Sequence, residues 1–476
     1  MGMRSGEDRL FRVVVRNMLL ALLLALLGVA APLNAKPHKS GQVVVKVKKQ
    51  TDIQQVIEQF EGTVLDSIYG RRTFLIGFLQ TYTEEEILAQ LEEDESVAYA
   101  HLNATLSLPE TFQISQGFPD QKKVPLHIKG LEPASFYMQP GLYATGLEAA
   151  HDISTGEGIS IAVIDNGIYA AHPAFEDSRI KFGHDFVDLD GDPSEEVGTL
   201  YGHGTFVCGL LVLAAPDCDL MPLRVFDENG LGDQYSAAQA IYWAVHHRAD
   251  LVNMSFGAEF PDSVLTAAVE DALAAGLVLV AATGNEASHE PTYPAGFEGV
   301  IAVTSLDMLE RLADFANHGD YLDLCAPGVD LYSALPGDAG WGTWSGTSFS
   351  APLVSGTAAL ILDRYGLLDG IMVRNALRQS ARTSLLWGDV VPPDHEYGYG
   401  ALDAYSALTE VVRGDVNGSG THDEDDVRLM VALIAQPSDF DTQPDLAQNA
   451  DLNGDGRVNM KDVTALVKLV VKELRK

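Results

Sequence analysis

Short apolar runs that alternate with helical stretches along the middle of the chain constrain its fold more than any other feature. The clearest are residues 158–165, 250–257, 276–285 and 299–306, where apolar, β-favouring residues follow one another almost without interruption. A strand with one solvent-exposed face would alternate between apolar and polar residues. These runs therefore indicate strands of a parallel sheet that are buried on both faces. Helical stretches such as 236–248 separate them. The pattern predicts a doubly wound α/β domain with a mainly parallel sheet, which binds ligands at the carboxyl ends of its strands.

The N-terminus combines basic residues with a short apolar run. Arginines at positions 4, 9, 12 and 16 precede residues 18–35, which are apolar and end in small side chains. A comfortable transmembrane helix needs about 20 apolar residues, whereas a basic start, a short apolar run and a small-residue end are typical of a secretory signal peptide. The sequence predicts a signal peptide over residues 1–35, cleaved after Ala35, and a secreted protein. The alternative is an uncleaved membrane anchor.

The composition is strongly acidic. The chain has 476 residues, with 67 acidic against 31 basic side chains and a formal net charge of −36. A nucleic-acid binder would show a basic face, so that class is disfavoured. The charge suits a soluble exported protein, a saline habitat or cation binding. Cys208, Cys218 and Cys325 are too few for a disulfide scaffold, and three buried thiols are expected, although the first two could pair.

Residues 36–105 carry the pattern of a small α+β domain. Strand-like and helical runs follow in the order βαββαβ, which predicts a ferredoxin-like unit. Residues 106–142 contain scattered Pro and Gly and indicate a linker or processing region. The α/β domain is predicted for residues 143–408, and a further module for residues 413–476.

Three polar residues stand beside glycine or a turn at the ends of elements predicted for the α/β domain. Asp165 ends a strand in VIDNGI, His203 precedes a helix in YGHGTFVCG, and Ser348 precedes a helix in GTSFSAP. A serine hydroxyl is a weak nucleophile at neutral pH. It needs a neutral imidazole to accept its proton and a carboxylate to orient that imidazole. The sequence therefore makes Asp165, His203 and Ser348 candidate catalytic residues.

From residue 143 to residue 408 the chain resembles the subtilisin-like serine proteases, or subtilases. The three segments match that family's Asp-(Ser/Thr)-Gly, His-Gly-Thr-x-Val-Ala-Gly and Gly-Thr-Ser-x-Ser-x-Pro signatures, in the subtilisin order of Asp, His and Ser. Two residues depart from the pattern: Asn166 follows the acid, and Cys208 replaces Ala. The resemblance implies a subtilisin-like fold and a serine endopeptidase that hydrolyses proteins through an acyl-enzyme.

The resemblance also implies roles for individual residues. Ser348 would be the nucleophile, His203 the general base and then the acid, and Asp165 the group that orients the imidazole. Asn285, in the segment ATGNE, would donate its side-chain N–H to the oxyanion together with the backbone N–H of Ser348. A further segment would pair with the substrate backbone as an added strand. Its residues are Ser255, Phe256 and Gly257.

The α+β unit before this domain resembles the inhibitor-type propeptide of subtilases in position and pattern. The resemblance implies a zymogen, in which the chain's own propeptide assists folding and then blocks the cleft with its C-terminal strand until it is cleaved. A folding template is physically reasonable because a parallel sheet has many non-local pairings and folds slowly. Cleavage is expected between residues 103 and 141. The alternative is an accessory domain that is never removed.

The C-terminal module contains two similar acidic loops, each followed by an amphipathic helical run. They read DVNGSGTHDEDD and DLNGDGRVNMKD, and each has glycine at position six, where a calcium loop turns sharply. Calcium takes roughly six to eight oxygen ligands, and every candidate side chain here offers oxygen or a backbone carbonyl. The predicted ligands are Asp415, Asn417, Ser419, Thr421, Asp423 and Asp426 in the first loop, and Asp451, Asn453, Asp455, Arg457, Asn459 and Asp462 in the second.

The paired loop–helix units resemble dockerin modules, which are α-helical and bind a cohesin domain on a scaffold or cell-surface protein. The family's usual small hydroxyl pairs are absent from the helix starts, which instead carry Glu424, Asp425, Met460 and Lys461. Calcium binding is therefore expected, and a cohesin-type partner is one of two options. The other is a calcium-stabilised tail without a partner.

The sequence leaves several points open. The acidic stretch 185–196 is either a further calcium site or a solvated loop. Thr292 is a candidate for the floor of the side-chain pocket, with an apolar preference expected, and a monomer is expected. The rival to a calcium-binding, secreted protease is a non-enzymatic adaptor that binds peptides and is docked by its C-terminal module. A lipase or esterase is disfavoured, since Ser348 comes last in the chain order.

Overall fold

The computed structural model describes most of the chain. The described residues are 37–49, 51–78, 82–110, 122–123, 134–175, 180–181, 183–337, 340–366, 369–386, 388–409, 424–435, 450–452 and 457–473. By its internal contacts the chain divides into two units, residues 1–38 and residues 39–476. The unit formed by residues 39–476 is compact. The predicted signal peptide lies outside the described residues. Within the described ranges, no helix has both the length and the apolar character needed to cross a membrane.

The first domain has the predicted βαββαβ order. Its elements are β1 His38–Val47, α1 Ile53–Ile57 with a 3-10 turn Glu58–Phe60, β2 Thr63–Ile68, β3 Thr73–Gly77, α2 Glu84–Glu93 and β4 Val97–Ser107. The strand order is β2-β3-β1-β4, with β3 antiparallel to both β1 and β2. Helix α2 begins with a capping box, in which Thr83 and Glu86 each satisfy the other's backbone N–H. The ferredoxin-like prediction is confirmed.

Strand β1 shows how this domain uses both of its faces. Val43, Val45 and Val47 are buried in the domain's own core, whereas Val44, on the opposite face, belongs to the large core of the next domain. Successive side chains of a strand point to opposite faces. The sheet therefore packs helices on one side and a second domain on the other.

The central domain is built around a seven-stranded sheet whose paired strands are all parallel. The strands from β5 onward are β5 Lys122–Lys123, β6 Ser160–Asp165, β7 His184–Asp185, β8 Asp219–Arg224, β9 Leu231–Asp233, β10 Leu251–Met254, β11 Val278–Ala282, β12 Ile301–Leu306, β13 Leu324–Pro327, β14 Leu331–Ala334, β15 Trp341–Trp344, β16 Ser384–Leu385 and β17 Gly388–Asp389. The strand order of the seven-stranded sheet is β13-β12-β11-β10-β6-β8-β7. The four apolar runs of the sequence thus supply β6, β10, β11 and β12, and the predicted parallel sheet is confirmed.

The helices of this domain pack on the sheet and on one another. They are α3 Ala134–Tyr137, α4 Pro140–Thr145, α5 Leu147–Ala150, α6 His203–Ala214, α7 Gln234–His246, α8 Ser263–Ala274, α9 Thr347–Tyr365, α10 Gly370–Ser380 and α11 Ala404–Thr409. Helix α9 packs against strands β10 to β13 and against α6, and every residue of α6 is buried. All three cysteines are buried and no disulfide links them, as expected.

Strand β4 crosses the domain boundary predicted at residue 105. It continues to Ser107 and pairs antiparallel with β9 of the central domain, so that the five-stranded sheet reads β2-β3-β1-β4-β9. Leu106 and Leu108 are buried in the central domain's core. The stretch that composition suggested as the start of a linker is therefore an ordered part of an interface.

The C-terminal module contributes helices α12 Glu424–Ala435 and α13 Met460–Glu473, which pack together. Their small core includes Met430, Leu466 and Leu469, and Met372 of α10 joins it. Of the ligands predicted for the first calcium loop, only Asp426 lies within the described residues.

Candidate active site

The three candidate catalytic residues lie at the ends of three elements. Asp165 is the last residue of β6, His203 is the first residue of α6, and Ser348 is the second residue of α9. His203 Nδ1 lies 2.7 Å from Asp165 Oδ1. All three side chains are almost completely buried. The fold thus brings together residues that are up to 183 positions apart in the chain, from Asp165 to Ser348.

Asn166, which departs from the family signature, ties the strand end to the helix start. Its Oδ1 accepts a hydrogen bond from Gly204 N at 2.9 Å, and its Nδ2 donates to Leu200 O at 2.9 Å. Its own backbone N–H donates to Asp165 Oδ1 at 2.8 Å. Gly204 is needed here because a Cβ atom would come within 2.1 Å of Gly167 O. Asn166 therefore fixes both Asp165 and the first turn of α6.

Glu195 supports the same helix start and was not singled out by the sequence. Its Oε1 accepts from Thr205 N at 2.5 Å and from Thr205 Oγ1 at 2.6 Å, and its Oε2 accepts from Gly202 N. Burial raises the pKa of Glu195 to about 7, although the hydrogen bonds from Thr205 and Gly202 oppose the rise. A carboxylate is favourable at a helix N-terminus. Glu195 therefore holds the turn from which His203 projects.

Asn285, three residues after β11, is oriented by the residue next to Ser348. Its Oδ1 accepts from Thr347 N at 2.9 Å and from Thr347 Oγ1 at 3.0 Å. The amide oxygen is thereby occupied, so that Nδ2 is left to donate toward the site. Ser348 Oγ lies 3.2 Å from Ser255 O, and Ser255 Oγ donates to Ser348 O at 2.8 Å.

A fully buried carboxylate from the first domain's extension, Glu110, occupies the space between these groups. Its Oε2 lies 2.9 Å from His203 Nε2 and 2.9 Å from Ser348 Oγ, and its Oε1 accepts from Asn285 Nδ2 at 3.1 Å. Burial alone would lower the pKa of His203, but the charges of Asp165 and Glu110 more than offset this and raise it to about 10. Sequence reasoning missed Glu110, which carries no motif.

The segment before Glu110 lies in the cleft as an added strand. Ser107 forms a bridge with Gly257, whose N–H donates to Ser107 O at 3.3 Å, and Leu108 N donates to Gly230 O at 3.0 Å. Phe256 points into the core and contacts Phe226 at 5.3 Å between ring centroids. The backbone of the predicted substrate segment, rather than the Phe256 side chain, therefore lines the cleft.

Thr292, the candidate for the pocket floor, lies beside this segment. A Cβ atom on Gly257 would come within 3.2 Å of Thr292 Cβ. The Thr292 hydroxyl donates to Thr283 O at 2.8 Å, which fixes its orientation.

The acidic stretch 185–196 surrounds a buried arginine. Arg224 Nη1 lies 2.5 Å from both Asp185 Oδ2 and Asp188 Oδ2, and Nη2 lies 3.1 Å from Glu196 Oε2. A guanidinium thus stands among the carboxylates that a calcium ion would need. Across the described residues, no group of three or more His, Cys, Asp or Glu side chains is arranged to hold a metal.

The second calcium loop is described in part. Asp462 is completely buried, and its Oδ2 accepts from Asn459 N at 2.8 Å; Asp451 and Arg457 are also described. Asp426, from the first loop, is completely buried as well. The remaining predicted ligands lie outside the described residues: Asp415, Asn417, Ser419, Thr421, Asp423, Asn453 and Asp455.

Comparison with known proteins identifies the family. The family model "Subtilase family" matches residues 156–400, about half of the chain. A thermophilic serine proteinase from a Bacillus species (strain AK1) is 36% identical over 390 residues, which span 78% of this chain and 88% of that protein. The chain belongs to the subtilase family. It is a subtilisin-like serine protease of the hydrolase class.

Two further family models match the flanking regions of this subtilase. "Fervidolysin N-terminal prodomain" matches residues 27–103, and "Dockerin type I domain" matches residues 413–470. The first match begins within the stretch assigned above to the signal peptide. The protease therefore has an N-terminal prodomain, as a zymogen does, and a C-terminal dockerin module.

Other relatives agree on the family and the fold. Subtilisin E of Bacillus subtilis is 31% identical over 311 residues, covering 63% of this chain and 74% of its own. The crystal structure of fervidolysin from Fervidobacterium pennivorans, described as a keratinolytic enzyme related to subtilisin, superimposes with a TM-score of 0.67. That match covers 79% of this chain and 61% of the other, at 22% identity. At that identity the likeness supports the fold.

Proposed function

We propose that this subtilase is a secreted serine endopeptidase in which Ser348, His203 and Asp165 perform the chemistry. The observation that carries the proposal is the 2.7 Å contact between His203 Nδ1 and Asp165 Oδ1, with Ser348 and His203 Nε2 both facing one oxygen of Glu110. Once that oxygen leaves, the two groups face a common space. Geometry of this kind, more than fold, is what supports a catalytic role.

The reaction follows from these positions. His203 Nε2 accepts the Ser348 proton as Oγ attacks the peptide carbonyl, and Asp165 stabilises the imidazolium that forms. His203 then protonates the leaving amine, and water hydrolyses the acyl-enzyme by the same proton transfers in reverse. Asn285 Nδ2 and the backbone N–H of Ser348 donate to the oxyanion, and the start of α9 adds the favourable end of a helix dipole.

The substrate would bind as an extended strand beside Ser255, Phe256 and Gly257. The chain's own segment supports this, because Ser107 and Leu108 already pair with the two sides of the cleft. Main-chain pairing of this kind supplies affinity, and pockets for alternate side chains supply specificity. Leu106 and Leu108 are buried, which favours substrates with apolar residues at alternate positions.

Calcium would be held by the two loops of the dockerin module. The donors fit this ion: Asp426 and Asp462 are completely buried acids, and the loops offer oxygen ligands throughout. Bound calcium would neutralise these acids and close each loop onto its helix. Carboxylates at these loop positions are the ligands that calcium prefers, so the module should depend on the ion.

A cohesin-type domain on a scaffold or cell-surface protein is the proposed partner of the module. The dockerin family match supports a docking role, although Glu424, Asp425, Met460 and Lys461 make its helix starts unlike the usual small hydroxyl pairs. Docking of this kind takes place outside the cell, in agreement with the signal-peptide pattern. The catalytic unit is proposed to act as a monomer.

Casein hydrolysis by the matured chain tests the proposal. The wild type should release fragments, and the Ser348→Ala and His203→Ala variants should release them at least about a thousandfold more slowly. Ser384→Ala, an exposed hydroxyl in the same domain, serves as the matched control and should behave as the wild type. If the folded, matured wild-type protein leaves casein intact, the proposal is wrong.

A further inference from the structure

We propose that the side-chain carboxylate of Glu110 is an internal inhibitor that binds the catalytic groups as an oxyanion would and keeps the uncleaved chain inactive. The inference rests on the proposed catalytic roles of Ser348, His203 and Asn285. It goes beyond blockage of the cleft by a strand, because it assigns latency to one charged side chain.

The first support is the position of the carboxylate. Its Oε1 accepts from Asn285 Nδ2 at 3.1 Å, where a developing oxyanion would be stabilised, and its Oε2 accepts from Ser348 Oγ at 2.9 Å. Donors about 2.7–3.1 Å from the oxyanion are what such a site requires. A carboxylate is planar and carries its charge on two oxygens. It can therefore engage the oxyanion donor and the nucleophile at the same time.

The second support is the effect on the base. His203 donates Nδ1–H to Asp165 and Nε2–H to Glu110 Oε2, at 2.7 Å and 2.9 Å. With a carboxylate on each nitrogen the imidazole is held as the cation, and its pKa rises to about 10. An imidazolium has no lone pair with which to accept the serine proton. Glu110 thus occupies the oxyanion donor, the nucleophile and the base together.

The third support is that the surroundings are shaped for this group. A Cβ atom on Gly346 would lie 2.0 Å from Glu110 Oε1, so the glycine before Thr347 leaves the space that the carboxylate fills. Glu110 is completely buried, and its hydrogen bonds to described residues go to the three catalytic groups. A buried carboxylate is costly unless it is paired. Its pairing here is with the catalytic groups, not with a structural cation.

The segment before Glu110 delivers the carboxylate in a fixed register. Ser107 pairs with Gly257 and Leu108 with Gly230, while Leu106 and Leu108 are anchored in the core. These contacts set the position of Glu110 along the cleft. Release of the strand after cleavage would withdraw the carboxylate and return His203 to a state that can act as a base.

Active-site labelling of the uncleaved chain tests the inference. Freshly folded full-length protein is exposed briefly to a fluorophosphonate, quenched, and the label on the uncleaved band is measured. Glu110→Gln removes the charge and Glu110→Ala empties the site, so both should label roughly ten- to a hundredfold faster than the wild type. Glu92→Gln, an exposed position in the same domain, is the matched control and should label at the wild-type rate.

The matured wild type is the reference that separates the two proposals. If it labels rapidly while both uncleaved Glu110 variants stay as slow as the uncleaved wild type, the strand alone blocks the site. The Glu110 inference then fails and the proposed function stands. If the matured wild type does not label, the proposed function fails, and so does the inference, because it rests on that function.

A second measurement covers variants that fold poorly. In the uncleaved Ser348→Ala chain, the pKa of His203 can be followed by nitrogen NMR. It should lie well above the ordinary value with Glu110 present and fall by at least about one unit in Glu110→Gln. The other acid that acts on this group is Asp165, while Glu195 interacts with Asp165 and Glu286 interacts with Glu110. They are unchanged in the variant, so an unaltered His203 pKa would contradict the inference.

Discussion

At the residue scale, neighbouring side chains occupy the alternative hydrogen bonds of the groups that are proposed to act in catalysis. Thr347 engages Asn285 Oδ1 twice, so that the amide can present only Nδ2 to the site. Asn166 and Glu195 accept hydrogen bonds from backbone N–H groups in the first turn of α6, from which His203 projects. Positioning of this kind is what makes a hydrogen-bond donor catalytically effective.

Removal of the proposed oxyanion donor, Asn285, should slow the chemistry without harming the fold. In matured Asn285→Ala, we expect kcat on a peptide substrate to fall roughly a hundred- to a thousandfold with little change in KM. This is the magnitude known for the oxyanion-hole asparagine of subtilisin, a member of the same family. Steady-state kinetics measures it. A fall of less than about threefold would mean that Asn285 does not stabilise the transition state.

Glu195 should give the stability of the protein a pH dependence of its own. Its pKa is raised from 4.5 to about 7, so its protonated form is favoured in the fold. The contribution of Glu195 to stability is therefore complete below about pH 4.5 and declines as the pH rises to about 7. Above about pH 7 it no longer changes with pH. The free energy of unfolding of the Ser348→Ala chain should lose roughly 3 kcal/mol relative to Glu195→Gln over this interval. Urea titrations across this pH range measure the difference, and parallel curves would contradict the assignment.

Short sequence motifs predict some residues of the site but not others, and the difference has a physical reason. Asp165, His203, Ser348 and Asn285 each sit in a short local pattern, and the fold brings these four together. Glu110 lies 238 positions from Ser348, and its place is set by a strand that enters another domain's cleft. Nothing local marks such a contact. Pro109 beside it even suggested a loop.

At the scale of elements, strands buried on both faces were the easiest to predict. The continuous apolar runs became β6, β10, β11 and β12, because burial on both faces leaves no room for alternation. Strand β4 continues past the boundary predicted at residue 105, because its last residues pair with β9, an element of only three residues. Its extension depends on a tertiary partner rather than on local preference.

The dockerin helices should depend on calcium. In the uncleaved Ser348→Ala chain, we expect calorimetry to detect calcium binding and Asp462→Asn to weaken it about tenfold or more, because the buried carboxylate at the start of α13 supplies charge to the loop. Chelation should also lower the melting temperature of α12 and α13. Asp314→Asn, an exposed acid of the central domain, is the control. Equal calcium affinity in both variants would exclude Asp462 as a ligand.

At the scale of the whole molecule, the prodomain and the protease domain share one sheet and a polar interface around it. Gln239 Nε2 donates to Asp66 Oδ2 at 2.7 Å, and Arg71 pairs with Asp271 at 2.8 Å. Arg71 also stacks on Tyr242 at 4.5 Å from the ring centre. With the buried Val44 and Leu106, these contacts hold the prodomain against the strands and helices around the cleft.

Loss of the prodomain should therefore slow folding. In the Ser348→Ala background, a chain that lacks residues 36–110 should refold slower by about two orders of magnitude or more, because non-local parallel pairings must then form without a template. Tryptophan fluorescence during dilution from denaturant measures the rate. A chain that lacks residues 413–476 is the control of similar size and should refold as the full chain does. Equal rates for both truncations would show that the prodomain is not a template.

The central claim is that this fold assembles a nucleophile at Ser348, and mapping of a covalent adduct tests it most directly. The matured chain is treated with a fluorophosphonate, digested and analysed by peptide mass mapping, with Ser348→Ala alongside. We predict one adduct, on Ser348, which is absent from the variant. A folded, matured chain that carries no adduct, or carries it on another residue, would contradict the account.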